Sequence, residues 1–235
     1  MGILAWLRGL FSSGAPGSSG GAPRSANGAS SFHLFWEAPG SFDSVSAVLT
    51  VVTPPAVHRL YFWALQVSFG TGAGAHVGLQ QLADGKHAAN WGGYGPDGSE
   101  LSGTPAGNTR PFPWEADVPY TLSVRRGQTG WVGTVAGPGG SPVFTRELVV
   151  PGGSALSDPM VWAEVFARCD DPSVVVRWSD LRVDGAPVQA VRANYQAAGD
   201  GGCANTDSSV ADGAFVQTTA VLRVTPQGGR LEVQA

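Results

Sequence analysis

Charge is scarce in this chain of 235 residues, because Asp, Glu, Lys and Arg make up only 14% of it. An average soluble domain has about 25%. The low charge, together with 43% hydrophobic residues, excludes an intrinsically disordered chain and a coiled coil. A formal net charge of −4 provides no basic field for phosphates, so we expect no nucleic-acid partner. No apolar run approaches the roughly 20 residues that a membrane span requires.

The spacings of the common catalytic motifs are also missing. The sequence has no phosphate-binding loop, no Gly-x-Ser-x-Gly elbow between a strand and a helix, no His-Glu-x-x-His and no Cys-x-x-Cys. The four histidines are scattered, so we predict no zinc site and no organic cofactor. Calcium is left open, because Asp170, Asp171 and the loop residues Asp200, Asn205 and Asp207 offer oxygen ligands.

The amino terminus contains two segments of different composition. In Met1 to Phe11 the apolar residues Ile3, Leu7 and Leu10 share one helical face, but the run is too short for a secretory signal. We predict a short amphipathic helix that is a degenerate or mis-started signal sequence, with a peptide that docks on a membrane or a protein partner, or a frayed end, as alternatives. Residues 12–31 are almost wholly Gly, Ser, Ala and Pro, which predicts a disordered, flexible linker.

Turn residues are abundant, since the whole chain has 34 glycines and 17 prolines. Short alternating runs separated by turns predict an all-β fold, namely a two-sheet antiparallel jelly-roll sandwich spanning residues 32–235. For Ser157–Arg168 a helix is the alternative. The predicted strands are Phe32–Glu37, Ser44–Val52, Tyr61–Phe69, His76–Leu82, Lys86–Trp91, Tyr120–Arg126, Trp131–Thr134, Thr145–Val150, Met160–Arg168, Val174–Val183, Gly213–Val216 and Ala220–Thr225.

Alternation within the predicted strand Tyr61–Phe69 separates an apolar face from a more polar one. Because side chains alternate across a strand, Tyr61, Trp63, Leu65, Val67 and Phe69 point to one side. Pairing this strand with the next one by matching their apolar faces groups the polar side chains on the opposite face. That face is predicted to be wet or to line a groove, and it carries Gln66, Ser68, His76 and Gln80.

The two cysteines, Cys169 and Cys203, both lie in turn-rich sequence. We predict a disulfide between them, with two free thiols as the alternative. A disulfide indicates an oxidising compartment, so we expect an extracellular or cell-surface location.

Among the carboxylates, Glu164 is the strongest candidate for chemistry. It lies between Trp162 and Phe166 on an otherwise apolar strand, where burial raises the pKa of a carboxyl group. The alternative is an exposed strand residue that pairs with an arginine such as Arg168 or Arg177. Glu37 is a weaker candidate.

Tryptophan is unusually frequent, with eight residues against four tyrosines. Flat aromatic rings stack on sugars, and neighbouring amides bind sugar hydroxyls. Small neighbours around Trp91 predict an accessible ring beside Asn90 and Tyr94, and Trp114 lies in a loop. For each tryptophan the alternative is a place in the core between the sheets.

A set of short runs resembles an uncharacterised bacterial family, often secreted, whose fold is described as a concanavalin A-like lectin or glucanase jelly roll. The runs are Tyr61–Gln66, His76–Gln81, Asn90-Trp91-Gly92, Cys169, Cys203–Thr206 and Phe215–Thr219. The resemblance covers about Phe32 to Pro226 and implies extracellular, glycan-related work. It transfers no catalytic residue, and the glucanase pattern Glu-x-Asp-x-x-Glu is absent.

These observations favour a binding module over an enzyme. The first hypothesis is a lectin-like, carbohydrate-binding sandwich that recognises a glycan through Trp91, Tyr94, Asn90, Gln66, Gln80, Trp114 and Glu164. The second is a polysaccharide-cleaving enzyme, a hydrolase or lyase that uses Glu164. The third is a structural or delivered protein docked through its amino-terminal peptide.

Overall fold

The computed structural model describes residues 30–38, 40–153, 155–196 and 202–234, and it is almost entirely β-structure. A 3-10 turn spans Pro138–Gly140. In the described part of the chain, no helix is long and apolar enough to cross a membrane. The strands are β1 (Ser30–Trp36), β2 (Ser44–Thr53), β3 (Leu60–Phe69), β4 (Ala73–Gln81), β5 (His87–Tyr94), β6 (Gly103–Thr104), β7 (Thr109–Pro111), β8 (Pro119–Arg126), β9 (Trp131–Ala136), β10 (Pro142–Leu148), β11 (Leu156–Phe166), β12 (Val175–Val183), β13 (Ala186–Pro187), β14 (Ala190–Tyr195), β15 (Thr206–Ala211), β16 (Ala214–Thr219) and β17 (Arg230–Glu232).

The strands form two antiparallel sheets that pack face to face. The front sheet has the strand order β17-β14-β1-β11-β3-β4-β5-β7, and the back sheet has the order β15-β16-β12-β2-β8-β9-β10-β6, with β13 paired to β12. The predicted two-sheet antiparallel β-sandwich is therefore confirmed. The segment with a helical alternative is a strand, β11, which pairs with both β1 and β3.

The core lies between the two sheets and follows the alternation of the sequence. The inward face of β3 carries the five apolar side chains predicted for it, and each is no more than 1% exposed. Trp91 enters the same core from β5 and lies against Gly133 on β9. A Cβ atom at Gly133 would lie 2.3 Å from the Trp91 ring, so this close approach requires glycine.

One predicted strand, Ala220–Thr225, is wrong. Ala220 has a φ of +56°, a left-handed conformation that interrupts an extended strand. The side chains of this segment also face the opposite way from what their polarity predicts, because the apolar Val224 is 79% exposed whereas the charged Arg223 is 8% exposed. The Arg223 guanidinium binds the carbonyl oxygens of Cys203 and Thr206, which offsets the cost of its burial.

The first strand begins two residues earlier than expected. Ser30 and Ser31 fall within the predicted linker, but they belong to β1 and are buried. The hydroxyl of Ser30 accepts a hydrogen bond from the Cys203 amide, which holds this end of the strand in place. The predicted helix at residues 1–11 and the linker up to residue 29 lie outside the described residues.

The predicted disulfide between Cys169 and Cys203 is confirmed. It joins the segment after β11, in the front sheet, to the segment before β15, in the back sheet. The bond therefore links the two layers of the sandwich next to the strand that carries Glu164.

Removing this cross-link is expected to destabilise the fold. The bond closes a loop of 34 residues, and the entropy lost by the unfolded chain corresponds to about 3.8 kcal/mol. We expect the double substitution Cys169→Ala, Cys203→Ala to lower the free energy of urea unfolding by about that amount. Mass measurement after alkylation, with and without reductant, provides the control for the oxidation state. A wild-type protein that takes up alkylating agent without reductant would contradict the bond.

Candidate functional site

The outward side chains of the front sheet form rows that cross its strands. In the first row Glu164 on β11 is opposite Phe62 on β3, and Phe62 is opposite Gln80 on β4. Two further rows run beside it, one of Trp162, Ala64, Gly78 and Asn90, the other of Met160, Gln66, His76 and Gly92.

The same register confirms the shared outward face predicted for four polar residues. That face is not simply wet, because Phe62, Ala64, Met160 and Trp162 form a second apolar cluster on it, separate from the core between the sheets. The predicted set is Gln66, Ser68, His76 and Gln80.

Two adjoining cavities lie over these rows, and together we call them the front cleft. The larger has a volume of about 540 Å³ and is lined by Phe35, Gln66 and Met160 among others. The smaller has a volume of about 170 Å³, and Gln80 and Glu164 line it. His76 and Tyr94 line both cavities, so the two lie side by side over the same face of the sheet.

Glu164 is buried at the smaller end of the front cleft, with 5% of its surface exposed. The ion pairs and hydrogen bonds of the described residues include none to its carboxyl group, and neither Arg168 nor Arg177 pairs with it. The expected alternative of an exposed, paired residue is therefore wrong. Burial without a compensating cation raises the pKa of Glu164 to about 8. The carboxyl group is mostly protonated at neutral pH.

Gln80 provides an amide group in the same row as Glu164. The two residues lie on strands separated only by β3, so their Cα atoms are about 10 Å apart across the sheet. The main-chain oxygen of Gln80 accepts a hydrogen bond from Trp114 Nε1. Within the described part of the chain its side-chain amide makes no hydrogen bond, so it is available to a bound molecule.

Trp162 lines the smaller cavity and is held in place by its neighbours. Trp162 Nε1 donates a hydrogen bond of 2.9 Å to Gln66 Oε1. The Trp162 ring packs edge-on against Phe62 and His76, with ring centroids 4.9 and 5.6 Å away. Burial lowers the pKa of His76 to about 4, so its imidazole is neutral in the range where Glu164 titrates.

Tyr94 is partly exposed and borders both cavities. Its phenol has a raised pKa, chiefly because it is partly buried and also because Glu100 and Glu164 lie nearby. The phenol therefore stays protonated and remains a hydrogen-bond donor at neutral pH.

The two tryptophans proposed as sugar platforms are buried, which corrects the sequence prediction. Trp91 is 0% exposed and its Nε1 donates to the Trp131 carbonyl inside the sandwich. Trp114 is 1% exposed and stacks on His87 with ring centroids 3.7 Å apart. In the described residues no tryptophan is more than 6% exposed, so no indole ring there is open for stacking.

The remaining candidates have structural partners. Glu37 forms surface ion pairs with Arg192 and Arg230. For calcium, the described residues contain no group of three or more His, Cys, Asp or Glu side chains placed to hold a metal. Asp207 accepts hydrogen bonds from Tyr195 and the Thr225 amide. Asp200 lies outside the described residues, and the calcium site stays a prediction.

Sequence reasoning missed several members of the front cleft, among them Asn108 and Phe35. Asn108 is in an irregular segment between β6 and β7, and only the pairing of β7 with β5 brings it beside Gly92. Phe35 belongs to β1, which lies two strands away from β3 in space but far from it in sequence. No local pattern marks either residue, although the alternation of β1 places Phe35 on the outward face.

No protein-family model and no curated protein matches the chain. Among solved structures, scytalido-glutamic peptidase with a peptide-based transition state analog matches with a TM-score of 0.52 at 14% identity, covering 83% of this chain and 98% of that one. SCP-B, a member of the eqolisin family of peptidases in complex with the tripeptide Ala-Ile-His, gives 0.51 at 15% identity, covering 84% and 98%.

A third match is the CBM2 module of the evolved Dit of Lactobacillus casei BL23 phage J-1. Its TM-score is 0.45 at 12% identity, with 76% of this chain and 83% of that one covered. At these identities the two peptidase structures show that the chain shares their β-sandwich fold.

Proposed function

We propose that the chain is a peptidase that hydrolyses peptide bonds in the front cleft, with Glu164 as its proton-transferring group. This proposal depends on one observation. Among the described residues, the row Glu164, Phe62, Gln80 brings a buried carboxyl group without an ion-pair partner and an amide without a hydrogen-bond partner to the same cleft. The two peptidase structures that share the fold are described as a glutamic peptidase and an eqolisin-family peptidase.

The chemistry follows from the protonation state of Glu164. The pKa of Glu164 is about 8, so at a lower pH its carboxyl group is neutral. It then has one O–H donor and one free carbonyl oxygen. The O–H donates its proton to the scissile carbonyl while the other oxygen accepts a proton from the attacking water, so that a C–O bond forms. Glu164, which now carries the proton taken from water, donates it to the leaving nitrogen as the C–N bond breaks, and it takes a hydroxyl proton from the tetrahedral carbon as the carbonyl reforms. The products are a carboxylic acid and an amine, and Glu164 is restored.

Gln80 supplies the second element that acyl chemistry needs. Negative charge develops on the carbonyl oxygen as water attacks, and a fixed N–H donor stabilises that charge. An amide N–H suits this role, and the side chain of Gln80 has no competing partner among the described residues.

Glycoside hydrolysis with Glu164 is less well supported. It uses two carboxyl groups roughly 5–10 Å apart. Among the described residues that line the front cleft, the other carboxylate is Asp158, in the larger cavity. It lies six positions from Glu164 along β11, which corresponds to about 20 Å of extended chain.

The test is hydrolysis of denatured, fluorescein-labelled casein and of a quenched peptide library between pH 3 and pH 9. We expect Glu164→Gln to lower kcat/KM at least 100-fold and Gln80→Leu to lower kcat by roughly 100-fold. Turnover should decline above about pH 8, as the Glu164 proton is lost. Glu115→Gln, an exposed acid outside the cleft, is the matched control. Failure of the wild type to cleave any of these substrates would count against the proposal.

Glycan binding outside the cell is the second candidate, as expected of the concanavalin A-like resemblance. One observation favours it, because the front cleft combines the partly exposed rings of Phe35 and Tyr94 with the amides of Gln66 and Gln80. Calorimetric titration with a polysaccharide panel separates the two functions, since a peptidase gives no heat of sugar binding.

A further inference from the structure

We propose that Asn90 and Asn108 together form an acceptor site that binds a main-chain N–H group of the peptide substrate beside Glu164. The inference rests on the proposed function and specifies how that cleft holds its substrate. Both asparagines line the smaller cavity, together with Gln80 and Glu164. In each of them the side-chain oxygen Oδ1 is buried and has no hydrogen-bond partner.

Asn90 is held in one orientation by its neighbour on β7. The residue is 5% exposed, and its Nδ2 donates a hydrogen bond of 2.9 Å to Thr109 Oγ1. This bond uses the donor end of the amide and leaves Oδ1 as the free acceptor. On the other side the row continues with Gly78, which has no side chain to satisfy that oxygen.

Asn108 is anchored through its backbone. Its carbonyl oxygen accepts a hydrogen bond of 2.9 Å from the amide of Trp91, a residue fixed in the core. Its side chain lies over Gly92, where a Cβ atom would come within 2.9 Å of Asn108 Nδ2. Glycine at position 92 therefore leaves the space that the Asn108 amide occupies.

A buried carbonyl oxygen without a donor is costly unless a ligand supplies one. Two such oxygens in one small cavity select for N–H or O–H donors and disfavour acceptor groups. An extended peptide presents an N–H within one residue of the bond it offers to Glu164 and Gln80. The same peptide continues into the larger cavity past His76 and Tyr94, which line both. A peptide main chain is therefore the ligand that fits both cavities.

The experiment uses a fluorescence-quenched hexapeptide that the wild-type protein cleaves. One main-chain N–H of this peptide at a time is replaced with an ester oxygen. With the wild-type protein, we expect the ester at one position next to the scissile bond to raise KM roughly 3- to 10-fold, the value of one hydrogen bond. Asn90→Leu and Asn108→Leu should raise KM for the amide peptide by a similar factor. In these variants the ester should cause no further increase, because the acceptor is already gone.

Gln128→Leu, at an exposed position outside the cleft, is the matched control and should retain the ester effect. If the ester effect is absent in the wild type, or persists in full in both asparagine variants, the acceptor site is refuted while peptide cleavage itself stands. If the wild type cleaves no peptide, the same cycle is measured as calorimetric binding of the hexapeptide to Glu164→Gln. Loss of affinity for the ester that requires the asparagines supports the site, and equal affinity refutes it.

Discussion

The wild-type protein is expected to lose stability as the pH rises, because Glu164 must stay protonated when folded. Its pKa is about 8 in the folded chain, against 4.5 for an ordinary glutamate. The contribution is fully present below about pH 4.5 and is lost as the pH rises toward 8. The whole change for Glu164 is on the order of 5 kcal/mol. It reaches about 1.4 kcal/mol for each pH unit between the two pKa values.

Two histidines oppose this trend at lower pH. Burial lowers the pKa of His33 and of His76 to about 4, from 6.5. Their contribution is fully present above pH 6.5 and is lost as the pH falls toward 4. The interval from pH 6.5 to 8 therefore isolates Glu164 from these two groups.

Urea unfolding at pH 6.5 and pH 8 measures the effect. Glu164→Gln removes the titrating group, and the burial cost of its amide does not depend on pH. We expect the variant to gain stability relative to wild type by about 2 kcal/mol over this interval. Glu115→Gln, which replaces an exposed acid, should follow the wild type. Parallel pH profiles for wild type and Glu164→Gln would show that the carboxyl group is ionised in the folded protein.

Replacing Arg146 is expected to loosen the segment that carries Asn108. Arg146 is 3% exposed, and burial is the main reason that its pKa is lowered. From β10 in the back sheet it donates to the carbonyl oxygens of Trp91, at 2.7 Å, and of Pro105, at 2.8 Å. It therefore ties the β6 to β7 segment to β5. Gly103 makes room for it, because a Cβ atom there would lie 2.7 Å from the guanidinium carbon.

Arg146→Met leaves both carbonyl oxygens without their donor, and we expect a loss of about 4 kcal/mol in the free energy of unfolding. Arg146→Lys should restore little, since a single ammonium does not reproduce the planar fork that spans the two acceptors. Arg125→Met on the exposed face of β8 should stay within about 0.5 kcal/mol of wild type. A stable Arg146→Met protein would show that other contacts hold the segment.

Alternation in the sequence was sufficient to predict the sandwich and the outward face of β3 and β4. Alternation did not predict strands with small or polar residues, for example β14 and β15. Their pairing is set by the neighbouring strands rather than by their own pattern. The disulfide was predictable because two cysteines allow only one intramolecular pair.

The candidate site was predicted in part. Glu164 was identifiable as a charge between aromatic residues. That no cation of the described residues pairs with it depends on the tertiary structure, which no local pattern shows. Trp91 was misplaced for a physical reason. The small residues around it, which suggested an open ring, instead let β5 pack closely while Gly133 on the opposite sheet receives the indole. The small residues therefore indicated close packing around Trp91, but they did not show on which face of β5 the indole lies.

Strands β3 and β4 contribute to both the core and the front cleft, and this limits the motions of the cleft. Both strands are hydrogen-bonded on two sides, and each fills the interior from its back while holding the cleft residues at its front. Their amides are protected from hydrogen exchange unless the sheet itself opens. The floor of the front cleft is therefore as rigid as the sheet itself, and its exposure to solvent on heating should coincide with global unfolding.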